Sequence, residues 1–127
     1  MVIIGAGNLG KHIADERIDE KYNEEIIFYD DHANPATPIF NRFKIINTEN
    51  LLEDYFKNKN ASFIAAAGHP RIRARLVAKA ESLGGKSESI ISIHAHFSNF
   101  SSAGTGTILQ PGCCVSHNTK IGISAII

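Results

Sequence analysis

The C-terminal part of the chain has an aliphatic or aromatic residue at every sixth position, and this spacing limits the possible folds more than any other feature. A period of six fits neither the 3.6-residue turn of an α-helix nor the two-residue alternation of a flat strand. The repeating positions are Phe97, Ala103, Leu109, Val115, Ile121 and Ile127. Two residues before each later member stands a small residue: Ser101, Thr107, Cys113, Thr119 and Ala125. The pattern predicts the hexapeptide repeats of a left-handed parallel β-helix, in which three hexads form one triangular coil.

The same register gives a structural explanation for side chains that otherwise suggest catalysis or metal binding. Cys113 occupies a small-residue position, so we expect it to fill the coil, and Cys114 should point the other way. His117 falls on a turn, where an exposed histidine is the simplest interpretation. No further ligand is spaced to complete a zinc site with the cysteines, and His94 and His96 have no acid or cysteine nearby. The sequence therefore predicts no metal site and no catalytic residue among these hexads.

The first ninety residues predict alternating strands and helices instead of repeats. Strands are predicted at 2–4, 25–29, 62–67 and in "SESIISI", with a short extended segment in "TPIFNRFKII". A helix should follow the first strand. A second lies in "TENLLEDYF", with Leu51, Leu52 and Tyr55 inward, and a third in "PRIRARLVAKAESLGG", with Ile72, Leu76, Ala80 and Leu83 on one side. The order predicts an α/β fold, a Rossmann-like parallel sheet over residues 1–90, with the β-helix over 91–127.

A glycine-rich loop follows the first strand. Gly5, Gly7 and Gly10 match the pattern G-x-G-x-x-G. In that pattern the first glycine permits a tight turn, the second a close approach of backbone and ligand, and the third close packing of helix on strand. Asp30 follows Gly10 by 20 residues, near the place where dinucleotide-binding folds have an acid that binds ribose.

Ligands of such sheets bind outside the carboxyl ends of the strands. Three of those ends should meet here: the loop 5–10, the pair Asp30 and Asp31, and the pair Gly68 and His69. Helix N-termini suit a phosphate group, and carboxylates suit sugar hydroxyls or the N–H of a base. The arrangement predicts a ligand that contains a nucleotide, and the simpler alternative is a Rossmann-like turn that binds nothing.

Composition excludes several classes of function. Thirteen basic residues balance thirteen acidic ones, so no net charge draws the chain to nucleic acid or to a membrane surface. The absence of Trp leaves few platforms on which bases stack. No apolar run approaches the ~20 residues that span a bilayer. The two cysteines are adjacent and offer no disulfide framework. These features predict a cytoplasmic protein that binds neither nucleic acid nor membrane.

A Rossmann-like module followed directly by hexads resembles the NeuD/PglD-type sugar acetyltransferases, which include sialic acid O-acetyltransferases and UDP-amino-sugar N-acetyltransferases. The resemblance rests on "VIIGAGNLGKHIADE", "FYDD", "AAAGHPRIRARL" and "GTGTILQPGCCVSHNTKIG". It implies that the first domain binds the UDP part of a nucleotide-linked sugar, or a similar sugar substrate. The implied substrate-binding residues are Gly5, Gly7, Asn8, Leu9, Gly10, Asp30, Asp31, Gly68, His69 and Arg73.

The resemblance also implies a homotrimer, with acetyl-CoA in the clefts between neighbouring β-helices. A histidine of the β-helix would act as general base while an amine or hydroxyl of the sugar attacks the thioester. In the family that histidine belongs roughly two hexads beyond Ile127, so we transfer no catalytic role to His117. We therefore expect this sequence to be the N-terminal part of a longer enzyme. The sequence departs from the family at Asn8-Leu9, where members usually carry a histidine or an aromatic residue.

Two other functions are compatible with parts of the sequence. An NAD(P)-dependent oxidoreductase or a non-catalytic nucleotide sensor would use the glycine loop and Asp30, but the hexads have no place in it. A non-catalytic scaffold would use the β-helix to pair with other chains.

Overall fold

The computed structural model describes all 127 residues, which form two compact units, Met1–Ser87 and Glu88–Ile127. The boundary predicted after residue 90 cuts through the first strand of the second unit, Ile90–Ile91.

The first unit is a parallel sheet of five strands with three helices. The strands are β1 (Val2–Ile4), β2 (Ile27–Tyr29), β3 (Ile45–Ile46), β4 (Ser62–Ala65) and β5 (Lys86–Ser87). The helices are α1 (Asn8–Asp19), α2 (Glu49–Asn58) and α3 (Pro70–Ser82). The strand order is β3-β2-β1-β4-β5, and every pair is parallel. This is the Rossmann-like sheet that the sequence predicts, with β3 formed by the segment expected only to be extended.

Helices cover both faces of the sheet, which is why its central strands are apolar at every position. On one face Ile4 and Tyr29 belong to a buried cluster with Leu52 of α2 and Ala80 of α3. Ile3 and Phe28 alternate to the opposite face. Their side chains lie close to the Cα of Gly10 in α1, because a Cβ built at Gly10 would stand 3.2 Å from each of them. Helix α1 therefore packs on one face, and α2 and α3 pack on the other.

Two helix positions predicted to face inward are exposed. In α2 the buried positions are Leu52 and Phe56, while Leu51 is 49% exposed. In α3 Ala80 is fully buried, but Ile72 in the first turn is 50% exposed. The predictions for Leu51 and Ile72 are wrong because a helix buries only the side chains that the sheet covers. Leu51 lies beside the buried positions of α2, and Ile72 lies in the first turn of α3, at the edge of the sheet.

The fourth predicted strand, "SESIISI", is divided between the two units. Its first part belongs to β5, where Ser87 pairs with Phe63 of the sheet. Its second part, β6 (Ile90–Ile91), pairs with β9 (Ile108–Leu109) of the second unit. Between them the Ser89 hydroxyl donates a hydrogen bond to the carbonyl of Gly104 and accepts one from the Thr107 N–H, at 3.2 Å each. These bonds fix Ser89 in the first coil and end the sheet before it.

The second unit consists of coils that stack on one another. Besides β6 and β9, the strands are β7 (His96–Phe97), β8 (Ser102–Ala103), β10 (Cys114–Val115) and β11 (Lys120–Ile121). Each of the first three strands pairs in parallel with the strand one coil later. The partners are 18 residues apart, as Ile90 is from Ile108 and His96 is from Cys114. Three hexads therefore complete one coil of a parallel β-helix, as predicted.

The interior of the coils is filled from the hexad positions to different degrees. Leu109 and Val115 are buried, whereas Ile127 is 44% exposed. Cys113 is half-buried and Cys114 is exposed, which matches the expected alternation. The difference among the hexads arises because an interior side chain is covered mainly by the coils on either side of its own.

Candidate functional site

The glycine loop between β1 and α1 has the geometry that its pattern predicts. Gly5 has a φ of +109°, and a Cβ there would stand 2.9 Å from the carbonyl oxygen of Ala66. A Cβ at Gly10 would stand 2.2 Å from the carbonyl oxygen of Gly5, so only glycine fits where helix meets strand. A Cβ at Gly7 would meet nothing within 4 Å, which leaves open space over the loop.

The N-terminus of α1 faces that open space without a capping side chain. Gly7 is the N-cap residue and makes no side-chain cap bond, and Asn8 and Leu9 begin the helix. The first N–H groups of a helix have no partner within the helix, and the helix dipole makes this end attractive to anions. The loop therefore has the local chemistry of a phosphate site.

Asp30 joins the end of β2 to the glycine loop. One carboxylate oxygen accepts a hydrogen bond from the Ala6 N–H at 2.9 Å, and the other accepts one from the His32 N–H at 3.0 Å. Asp30 thus holds the loop in place through both oxygens. Asp31 is half exposed, and its carboxylate lies 3.6 Å from His32 Nε2 and 3.9 Å from Lys79 Nζ. Of the two acids, Asp31 is the one whose carboxylate stands in the open.

A cleft of about 520 Å³ lies at the carboxyl edge of the sheet, within the first unit. Its volume falls in the range usual for small-molecule sites. The strand ends contribute Ile4, Gly5, Tyr29, Asp30, Asp31, His32 and Ala67 to its lining, and α3 contributes Ile72, Arg75, Leu76 and Lys79. The lining thus combines apolar side chains, among them Ile72 and Leu76, with charged side chains of both signs. Such a cleft can hold a group that has both an apolar surface and polar atoms.

Lys79 provides a fixed positive charge at this cleft. Its Nζ lies 3.2 Å from a carboxylate oxygen of Glu49 in α2 and 3.9 Å from Asp31. The hydrogen bond to Glu49 is the main cause that raises the pKa of Lys79 above its usual value, so the ammonium keeps its charge at neutral pH.

The loop after β4 is held from inside by Arg73. Its side chain is buried, and Nη1 donates to the carbonyl oxygens of Ala67 at 2.8 Å and Gly68 at 2.9 Å. His69 is the N-cap of α3, and its Nδ1 accepts a hydrogen bond from the Arg71 N–H at 3.3 Å. These contacts support a role in shaping the loop for both residues.

Three of the ten predicted substrate-binding residues line the cleft, namely Gly5, Asp30 and Asp31. The lining does not include the other seven, which belong to the loops beside it or to the first turns of α1 and α3: Gly7, Asn8, Leu9, Gly10, Gly68, His69 and Arg73. No three His, Cys, Asp or Glu side chains come together as a metal site would require. No helix is both long enough and apolar enough to cross a membrane.

The family described as the PglD N-terminal domain matches residues 1–80. The chain belongs to this family. All the residues that line the cleft lie within the matched range. A comparison with curated proteins finds no match.

Solved structures resemble the chain over nearly its whole length. The acetyltransferase domain of PglB from Neisseria gonorrhoeae, in complex with acetyl coenzyme A, is 27% identical with a TM-score of 0.84. The match covers 99% of this chain and 60% of that one. PerB from Caulobacter crescentus, in complex with CoA and GDP-perosamine, is 24% identical with a TM-score of 0.82. The match covers 99% of this chain and 58% of PerB, and at this identity it shows the fold alone. The chain thus spans about 60% of the length of these structures.

Sequence reasoning missed the part of the cleft that α3 provides. Ile72, Arg75, Leu76 and Lys79 follow one another at helical spacing on a single stripe. That stripe was a detectable signal, but its apolar members were expected in the core. Tyr29 is not predicted as a cleft residue, because it ends a strand whose other two residues, Ile27 and Phe28, are buried and have purely apolar side chains.

Proposed function

We propose that this chain is the substrate-binding part of an acetyltransferase that acetylates an amine or hydroxyl of a nucleotide-linked sugar. The observation that carries the proposal is the cleft of the PglD-type domain in a chain that continues into β-helix coils. The likeness to the PglB acetyltransferase domain supports it, because that likeness extends over both units.

The glycine loop suits the phosphate groups of such a substrate. The open space over Gly7 and the uncapped N-terminus of α1 provide room and N–H donors for a diphosphate. Gly10 and Asp30 keep this loop in shape, since the first lets α1 approach the strand and the second bonds to Ala6. Asn8 and Leu9 would contribute through their backbone N–H groups, so the leucine side chain need not form a hydrogen bond.

The cleft suits the nucleoside. Ribose hydroxyls are donors, and the exposed carboxylate of Asp31 is an acceptor. The base would lie between the strand ends and the apolar side chains of Ile72 and Leu76. Gly68, His69 and Arg73 would act on this site indirectly, through the loop after β4 that they shape.

Acetyl-CoA supplies an activated acetyl thioester to the complete enzyme. A new C–N or C–O bond forms to the acetyl carbon, the C–S bond breaks, and the sugar nucleophile gives up a proton to a general base. We assign that base to no residue of this chain. His117 is an exposed turn residue whose Nδ1 lies 3.4 Å from the hydroxyl of its neighbour Ser116.

The oligomeric state and the cellular location of the complete enzyme are part of the same proposal. We expect a homotrimer with acetyl-CoA between neighbouring β-helices, and two unpaired cysteines are compatible with the cytoplasm.

Calorimetric titration of this chain with UDP, GDP and NAD⁺ tests the proposal. UDP is the expected ligand and GDP represents the nucleotide of the PerB complex, while NAD⁺ represents the oxidoreductase alternative. We expect Asp31→Asn to weaken the binding of the preferred nucleoside diphosphate by about 10-fold, since the substitution removes a charged hydrogen-bond acceptor. The matched control is Asp54→Asn, because Asp54 is an exposed acid of α2 outside the cleft. Tighter binding of NAD⁺ than of either diphosphate would contradict the proposal.

A further inference from the structure

Tyr29 carries a buried polar atom that nothing in the chain satisfies. The residue is only 2% exposed, and its ring packs in the apolar cluster beneath α2 and α3. Its hydroxyl has no hydrogen-bond partner, although Tyr55, the other tyrosine near this cluster, donates to Glu25 at 2.8 Å. Buried hydroxyl groups are nearly always paired, so an unpaired one calls for a partner from outside the chain.

The position of Tyr29 shows which part of a ligand it can reach. It lines the cleft together with Ile4, on the face of the sheet covered by α3. Helix α1, whose N-terminus suits a phosphate, packs on the opposite face against Ile3 and Phe28. A nucleotide with its phosphates on the glycine loop would place its nucleoside in the cleft that Tyr29 lines. We expect the base to be the part that reaches the Tyr29 hydroxyl.

The surroundings of Tyr29, burial above all, keep its hydroxyl protonated. Burial is the largest influence and raises the pKa of the phenol; Asp31, Glu49 and Asp30 raise it further, while Lys79 lowers it. At neutral pH the side chain is thus an O–H donor. Because the nearby carboxylates accept no bond from it, the O–H is available to a ligand acceptor.

Resting on the function proposed above, we propose that Tyr29 determines base specificity by donating a hydrogen bond to a carbonyl oxygen on the base of the bound nucleotide. The carbonyl in question is O4 of uracil or O6 of guanine, which lies next to a ring N–H, whereas cytosine and adenine carry an amino group at that position, next to a ring nitrogen acceptor. The O2 carbonyl that uracil and cytosine share would not distinguish them. An amino group in place of O4 or O6 leaves the phenolic hydrogen unpaired, as it is in the empty cleft. Sites built to pair a buried hydrogen-bonding group discriminate strongly against an analogue that cannot pair it.

Asp31 strengthens the same selection. It lines the cleft two residues after Tyr29, and its carboxylate can only accept. The carboxylate has two oxygens, so one can accept from the ribose, as proposed above, and the other from the ring N–H of the base. A donor at Tyr29 beside this acceptor complements a carbonyl next to an N–H. The reversed edge of cytosine or adenine presents a lone pair to a carboxylate, which is repulsive.

Two matched ligand pairs test the proposal, UDP against CDP and GDP against ADP. Within each pair the bases have the same ring system and differ in the edge that Tyr29 would contact. We expect the unmodified chain to bind UDP about 10-fold or more tightly than CDP, with the same direction for GDP over ADP. Tyr29→Phe should weaken the binding of UDP by about 10-fold and change the binding of CDP by less than about 2-fold. The preference for UDP over CDP should therefore largely disappear.

Folding of the variant can be checked independently. Removal of an unpaired buried hydroxyl leaves no partner behind, so Tyr29→Phe should melt at the same temperature as the unmodified chain without ligand, or higher. The control is Tyr55→Phe, which removes a hydroxyl bonded to Glu25 outside the cleft and should leave the UDP to CDP ratio unchanged.

The possible outcomes separate the two proposals. Equal binding of UDP and CDP, or a ratio that survives Tyr29→Phe, overturns the role of Tyr29 while nucleotide binding stands. If the unmodified chain binds none of the four diphosphates, the proposed function fails, and the inference that rests on it fails with it.

Discussion

The two units of this chain are stabilised in different ways. In the first unit the loops at the sheet edge depend on single contacts between distant residues, such as Asp30 with Ala6 and Arg73 with Ala67. In the second unit equivalent contacts recur at several hexads. The Ser101 hydroxyl bonds to Ser116 and the Thr107 hydroxyl to Gly122, each across 15 residues. The loops at the sheet edge are thus held by unique contacts, while the repeat distributes its stability over similar ones.

The largest expected effect is at the glycine that lets α1 approach the sheet. Gly10→Ala places a Cβ 2.2 Å from the carbonyl oxygen of Gly5, and the backbone there has to move. We expect a loss of about 3 kcal/mol in the free energy of unfolding, measured by urea denaturation. Gly7→Ala is the matched control, because its Cβ meets nothing within 4 Å, and it should cost about 1 kcal/mol or less. Equal losses for Gly10→Ala and Gly7→Ala would contradict the interpretation that the stability of the first unit depends on the close approach at Gly10.

The next effect concerns the carboxylate that joins strand and loop. Asp30→Asn replaces one acceptor oxygen with an amide NH₂, so one of the two N–H groups of Ala6 and His32 loses its partner. We expect a loss of about 2 kcal/mol.

Asp31→Asn should change stability by less than about 0.5 kcal/mol, because Asp31 is half exposed and its ion pairs are long. Chemical denaturation of the two variants side by side measures the difference. A larger loss of stability for Asp31→Asn than for Asp30→Asn would contradict the structural role assigned to Asp30.

An effect smaller than those at Gly10 and Asp30 is expected for one contact between coils. Thr107→Val keeps the shape of a fully buried side chain but removes the hydroxyl that bonds to the carbonyl of Gly122 at 3.0 Å. We expect a loss of about 1 kcal/mol. The exposed Thr105 offers a matched control, since Thr105→Val should stay within about 0.5 kcal/mol. A loss at Thr107 as large as that at Gly10 would break the contrast between repeated and unique contacts.

The features that the sequence predicts best depend on local spacing. The period of six predicts pairing at 18 residues, and the roles of Gly5 and Gly10 follow from the crowding that their pattern implies. The cleft depends instead on where α3 lies along the sheet. Ile72 and Ala80 occupy the same helical stripe, yet one lines the cleft and the other is buried, because the sheet ends between them. The spacing of apolar residues in α3 does not show where along the helix the sheet ends.

The residues that line the cleft were predicted only in part for a similar reason. Asp30 and Asp31 are identical in type and adjacent in the chain. The partner that distinguishes them, the N–H of Ala6, lies 24 residues away and has no side-chain signature. The unpaired hydroxyl of Tyr29 is equally invisible in the sequence, since a tyrosine at the end of a buried strand usually has a partner.

The fixed offset of 18 residues between paired strands has a consequence for how such a chain can change in evolution. Duplication of one complete coil preserves every strand pair and every inward position on both sides of the insertion. Any other change in length has to be accommodated in a corner between strands, because a shift within a strand would misalign all the coils that follow. Lineages that share this architecture should therefore differ by whole coils and by corner loops, and rarely by single residues within the strands.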